Sequence, residues 1–110
     1  MTKNKLQRFE EIAGFPNVLE YTDFENDDEK PKGRWASKVF GNDRPICLEL
    51  ACGKGEYARA LAEIDPDRSY IGIDIKGARI WKGAKIALEK KMDNIRFLRI
   101  QIDHLDEYFA

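Results

Sequence analysis

Three short apolar runs, ICLEL (46–50), YIGIDI (70–75) and IRFLRIQI (95–102), are separated by two segments with helical periodicity. In EYARALAEI, Tyr57, Ala60, Leu61 and Ile64 recur at helical spacing. In GARIWKGAKIALEKK, Ile80, Ala84, Ala87 and Leu88 share a face, with Trp81 beside them. Strands that alternate with helices over short links imply a parallel sheet with right-handed crossovers, covered on both faces. The predicted fold class is therefore α/β, a β-α-β-α-β unit. HLDEYF then begins a further helical turn.

The 45 residues before this unit are irregular in pattern. KLQRFEEI suits a short helix, whereas GFPN, ENDDEKPKG and GNDRP are turn and loop chemistry. The acidic stretch from Asp23 to Glu29 reads as a solvated loop, and RWASKVF as a short helix packing Trp35 and Phe40 at the domain edge. The predicted division is an N-terminal extension of loops and short helices, 1–45, followed by the alternating unit, 46–110.

With 110 residues, 43% hydrophobic and 35% charged, the chain suits one domain with a small core. Its formal net charge of −1 gives no global attraction to nucleic acid or anionic lipid, so any such attraction must be local. No apolar run approaches the roughly 20 residues that span a bilayer, and MTKNKLQRFEE lacks the apolar core of a secretion signal. No membrane association is expected, and the chain reads as cytoplasmic. Cys47 and Cys52 have the spacing of neither a C-x-x-C redox motif nor a zinc knuckle, which predicts reduced, structural thiols. His104 has no second histidine or cysteine pair near it in sequence, so no metal site is expected.

Function-bearing chemistry concentrates in LELACGKGEY (48–57). Gly53 and Gly55 flank Lys54 directly after the first strand, where glycine permits a tight turn and close approach of a ligand to the backbone. With Ala58 the spacing G-x-G-x-x-A also matches a dinucleotide fingerprint, so the glycines alone leave two ligands open. Asp74, at the end of the second strand, lies 19 positions after Gly55, where a carboxylate can accept from both hydroxyls of a ribose. Glu49 separates the two ligands. A carboxylate close to a pyrophosphate would repel it, while a cationic, phosphate-free nucleoside such as S-adenosylmethionine would be attracted. The alternative role for Glu49 is an internal ion pair, with Lys54 as partner.

Between Lys76 and Arg99 eight basic residues stand against two acidic ones, a local balance of +6. Arg79, Lys82, Lys85 and Lys90 fall on the side of the second helix away from its apolar face. They are either solvated lysines and arginine or a surface that tracks phosphates, and the bias in sign favours the second.

With these residues assembled, the chain resembles the first half of the bacterial tRNA (guanine-N7-)-methyltransferase family, a Rossmann-like class I S-adenosylmethionine-dependent fold. The resemblance rests on LELACGKGEYARALA, YIGIDIKGARIWKGAKIALE and NIRFLRIQIDHL, and more weakly on RFEEIAGFPNV. It implies that Glu49 lies by the methionine end of S-adenosyl-L-methionine and that the Gly53–Gly55 turn passes beneath the cofactor. Asp74 would hold the ribose, with Ile75 beside it. Gln101 would meet the adenine; similar proteins commonly have Asp or Asn there, and Asp103 is the neighbouring alternative. Ala51 replaces a glycine often found in the motif. The implied partner is tRNA, contacted through Arg79, Lys82 and Lys85, and the implied reaction is methyl transfer to guanine N7 in the variable loop.

The resemblance further implies that the residues gripping the target guanine lie beyond Ala110, so that this chain carries a cofactor-binding half without a complete active site. The family's fourth strand lies beside the first, so the first strand is expected to have an uncovered edge and to promote self-association. Two other functions stand beside this one: a nicotinamide-dependent oxidoreductase domain, which Glu49 disfavours, and a non-catalytic RNA-binding module.

Overall fold

The computed structural model describes residues 4–24 and 26–109. Met1–Lys3, Glu25 of the acidic stretch and Ala110 lie outside the described residues. Four strands, β1 (Val18–Glu20), β2 (Ile46–Leu50), β3 (Ser69–Asp74) and β4 (Ile95–Arg99), form one parallel sheet in the order β1-β4-β3-β2. Helix α1 (Lys5–Ile12) precedes β1, α2 (Glu56–Ile64) joins β2 to β3, and α3 (Gly77–Glu89) joins β3 to β4. A π-helical segment, Trp35–Phe40, and a 3-10 turn, Ile102–Glu107, cover the opposite face. The predicted β-α-β-α-β unit is thus present, within one residue of the expected strand starts.

The N-terminal segment does more than extend the domain. Asn4 and Gln7 form a reciprocal capping box that starts α1. The three residues of β1 are too few to show an alternating pattern, yet they pair with Phe97, Leu98 and Arg99 and widen the sheet. A buried ion pair seals that edge: Arg99 reaches Glu20 at 2.6 Å with both side chains under a tenth exposed, and its guanidinium lies 4.6 Å from the Phe9 ring centroid and 4.8 Å from that of Tyr21.

Alternation along β3 and β4 divides the core. Tyr70, Ile95 and Phe97 face α2 and α3, meeting Ala58, Ala62, Ile80, Trp81 and Ala84. Ile71, Ile73 and Leu98 face the other way, onto Trp35, Ile100 and Tyr108. Trp35 is therefore a core residue, not an edge residue: it is buried, donates from Nε1 to the Tyr108 carbonyl at 2.8 Å and stacks on Phe109.

The apolar face expected for α2 is corrected. Ala58 and Ala62 are its buried residues, whereas Tyr57 is 68% and Ile64 78% exposed. Small side chains let α2 lie close on β3 and α3, and the larger Tyr57 and Ile64 are left in solvent. Strand β2 pairs only with β3 among the described residues, and Leu48 and Leu50 on it are exposed.

Candidate functional site at the carboxyl ends of the strands

Directly after β2 the backbone turns through left-handed residues: Ala51 has φ 53°, Gly53 φ 57° and Gly55 φ 67°. A non-glycine residue in this region is strained by about 1 kcal/mol. Ala51 therefore occupies a position whose conformation favours glycine, which accounts physically for the glycine common at this point of the motif.

The turn is tied to β3. Cys52 N–H donates to the Ile73 carbonyl at 2.8 Å, continuing the ladder past the strand end. Gly53 N–H donates to Asp74 Oδ2 at 2.9 Å and Lys76 N–H to Asp74 Oδ1 at 3.0 Å. Asp74 thus braces the turn with one oxygen and the start of α3 with the other, a structural duty that its sequence position did not announce. Each carboxylate oxygen retains further acceptor capacity.

Two glycines shape the turn by close packing, Gly55 within it and Gly83, which the sequence reading passed over. A Cβ on Gly83 would lie 2.0 Å from the Lys54 carbonyl oxygen, and one on Gly55 would lie 2.6 Å from Phe97 Cε1. The signal for Gly83 was glycine in mid-helix, which is unfavourable by about 1 kcal/mol relative to alanine and asks for a packing reason. The reason is that α3 presses its backbone against the turn.

Glu49 sits on β2 with its side chain toward the start of α2, where the backbone N–H of Ala58 favours its charged form. Burial acts in the opposite sense and more strongly, raising the carboxyl above its ordinary pKa. Its Oε1 is buried and has no hydrogen-bond partner. Among the described residues no ion pair links Glu49 to Lys54, so the internal salt bridge considered from sequence does not form. Burial, reinforced by the Asp74 and Glu49 carboxylates, pushes the Cys52 thiol up to about 12, which keeps it protonated and unreactive at neutral pH.

Two depressions flank the turn. One, of about 440 Å³, is bounded by Glu49, Gly53, Lys54, Tyr57 and Arg79. The other, of about 380 Å³, is bounded by Ala51, Asp74, Ile75, Gln101 and Asp103. The structure thereby gathers Glu49, Ala51, Gly53, Gly55, Asp74, Ile75 and Gln101 at one end of the sheet. Arg79 borders the first depression, while Lys82 and Lys85 lie exposed further along α3.

The basic run is less uniform than its sequence. Arg99 is buried against Glu20, Lys90 pairs with Glu63 at 2.7 Å, and Arg96 lies over Phe40 and donates to the Asp93 and Ile95 carbonyls. Near Trp81 stands a smaller group: the exposed Lys85 has Nζ 4.8 Å and the half-buried Arg8 has Cζ 4.9 Å from a Trp81 ring centroid, so α1 contributes a cation that the helix pattern alone did not include. Among the described residues no cluster of three histidine, cysteine or acidic side chains has metal-holding geometry, and no helix is long and apolar enough to cross a membrane.

A parallel α/β sheet whose strand ends carry a glycine turn, a bracing aspartate and a glutamate with one unpartnered oxygen defines the candidate site. Residues 43–110 match the family described as "Putative methyltransferase", and the chain belongs to that family. It is 51% identical to the tRNA (guanine-N(7)-)-methyltransferase of Christiangramia forsetii over 99% of this chain and 50% of that protein. Proteins of the same name from Bacteroides thetaiotaomicron and Bacteroides fragilis are 45% and 46% identical, each over 100% of this chain and 44% of the relative. The chain spans about half the length of these curated relatives. The resemblance seen in the sequence is borne out by these matches, which lend no support to an oxidoreductase or to a non-catalytic RNA module.

Proposed function

We propose that this chain is the cofactor-binding half of a tRNA (guanine-N7-)-methyltransferase that uses S-adenosyl-L-methionine. The observation that carries this reading is the buried Glu49 Oε1 without a donor, on the border of the depression beside the glycine turn. An unsatisfied buried carboxylate oxygen is unfavourable by about 1–3 kcal/mol, which a cationic ligand's ammonium relieves and a pyrophosphate would aggravate.

Each residue has a definite task. Glu49 accepts from the α-ammonium, and the Gly53–Gly55 turn, entered through Ala51, lets the ligand lie close to the backbone. Asp74 uses its remaining lone pairs for the ribose hydroxyls, Ile75 flanks the base, and the Gln101 amide bonds its edge, with Asp103 next to it. When bound, the cofactor supplies a methyl group made electrophilic by its sulfonium. Guanine N7 has an in-plane lone pair and no proton to lose, so the reaction requires positioning rather than a general base. A-form RNA hides N7 in a deep, narrow groove, so the guanine is reached in an opened region of the tRNA. Arg79, Lys82 and Lys85, joined by Arg8, contact its phosphates. A tRNA substrate of this kind places the protein in the cytoplasm. On this reading residues 46–110 hold the cofactor, and residues 1–45 extend the sheet around it. The exposed β2 edge, with Leu48 and Leu50, favours pairing with a second copy of the chain.

Calorimetric titration tests the assignment. S-adenosylhomocysteine should bind the wild-type chain and NAD should not, and Asp74→Ala and Glu49→Gln should each weaken binding about tenfold or more. Equal binding by all three proteins, or preference for NAD, sinks it. For the RNA surface, charge reversal at Lys82 and Lys85 should weaken tRNA binding and flatten its salt dependence.

A further inference from the structure

A third depression, of about 360 Å³, lies between the N-terminal segment and the 3-10 turn that follows β4. It shares Ile75 and Gln101 with the depression at Asp74, so the two adjoin across that pair of side chains. Its walls are aromatic. Phe24 meets Tyr108 edge-on with centroids 5.8 Å apart, and Tyr21 lines the same space. One end is polar: Lys30 Nζ lies 2.6 Å from Glu107 Oε1, and the other oxygen of Glu107 meets His104 Nδ1. Only 12% of the Lys30 side chain is exposed, and its ammonium stands 5.2 Å from the Tyr108 ring centroid.

Aromatic walls offer stacking to a flat ring, and a few convergent polar groups set its orientation. The polar group here is sharply specified. Lys30, then His104, hold the Glu107 carboxyl below its ordinary pKa, so it is ionised at neutral pH and can only accept hydrogen bonds. Lys30 and His104 occupy one position on each oxygen, and each carboxylate oxygen has further acceptor capacity in a residue that lines the depression. A base with an exocyclic amino group satisfies them, whereas a base with a carbonyl at the same position brings two acceptors face to face.

Resting on the cofactor assignment above, we propose that this chamber receives the adenine of the methyl donor and that Glu107 reads its 6-amino group. Lys30 holds the carboxylate in place, and Phe24 and Tyr21 make the N-terminal segment one wall of the cofactor site. Selectivity for the base then comes from two segments outside the strands, 21–30 and 102–108.

The test is a ratio measured within each protein: binding of S-adenosylhomocysteine against S-inosylhomocysteine, which carries a 6-oxo group. Wild type should prefer the 6-amino ligand by about tenfold or more, since a site with a fixed polar partner discriminates strongly against a mismatched one. Glu107→Gln, whose amide both accepts and donates, should reduce that preference to about threefold or less. A purely structural role for Glu107 would weaken both ligands and leave the ratio intact, and an unchanged ratio overturns the proposal. A second measurement needs no variant. Hydrogen exchange in 21–30 and 102–108 should slow with S-adenosylhomocysteine but not with S-ribosylhomocysteine, which lacks the base; protection confined to the Asp74 region overturns the proposal too. If wild type binds neither nucleoside ligand, the cofactor assignment itself falls; if it binds them without base preference, only this inference does.

Discussion

Strands β2 and β3 are both short and apolar, ICLEL and SYIGID, and are hydrogen-bonded to each other over five residue pairs. Every residue of β3 is buried and none of β2 is. The difference comes from neighbours among the described residues: β3 has a strand on each side and cover on both faces, while β2 pairs with one strand and leaves Leu48 and Leu50 exposed. The glycine turn hangs from the exposed strand but is hydrogen-bonded to the buried one, through Ile73 and Asp74. A loop on an exposed edge is thereby tied to a fully buried strand of the sheet.

The contrast is open to direct measurement. Ile73→Ala should destabilise by about 3 kcal/mol in denaturant unfolding, as for other fully buried aliphatic truncations, whereas Leu48→Ala should change stability by less than about 1 kcal/mol. Comparable losses would mean that β2 is covered in solution. Gly83→Ala drives a Cβ into the Lys54 carbonyl and should destabilise by about 2 kcal/mol while weakening S-adenosylhomocysteine binding by more than the stability loss explains. If α3 absorbs the methyl with the turn unmoved, affinity will be preserved.

Smaller effects follow at the edge and the turn. Leu48→Lys, on the open edge, should reduce self-association in sedimentation without altering the melting temperature by more than a few degrees. Ala51→Gly should stabilise the chain by up to about 1 kcal/mol by relieving its left-handed backbone, less what the added freedom of the unfolded chain takes back.

The smallest effect is a pH slope at Glu49. Burial raises this carboxyl above its ordinary value, so the folded chain holds its proton more readily than the unfolded chain does. Its contribution to stability therefore rises as pH falls through the folded pKa toward the ordinary carboxylate value, and is lost above it. Glu49→Gln should flatten stability against pH in that window while weakening ligand binding at neutral pH; a steeper slope in the variant would contradict the assignment.

Much of this was legible from local chemistry. The strand starts, the glycine turn and Asp74 follow from periodicity and spacing, because each is set by residues close together in the chain, whereas the strand predicted to reach Ile102 ends at Arg99 and leaves Gln101 beyond it. Strand β1 was not legible: three residues give too little alternation, and its place is set by the Glu20–Arg99 ion pair and by Asn17, whose carbonyl accepts from Phe97 N–H. The buried face of α2 was misassigned because Tyr57 and Ile64 carry the helical period, while close packing selects the small Ala58 and Ala62. The basic run overstated its surface, since charge counted along a sequence does not show which cations turn inward to Glu20 or Phe40, or pair at the surface with Glu63.

Sequence by itself determined the alternating α/β unit and the residues at its strand ends, because hydrophobic period and turn chemistry are properties of short segments. Only the tertiary structure decided that Asp74 braces the turn, that Gly83 admits it, that Glu49 keeps one buried oxygen without a donor, and that Phe24 and Lys30 stand opposite Glu107. Those relations join residues up to 83 positions apart, as Phe24 and Glu107 are. They exist only once burial has set which groups lose water and which partners remain to replace it.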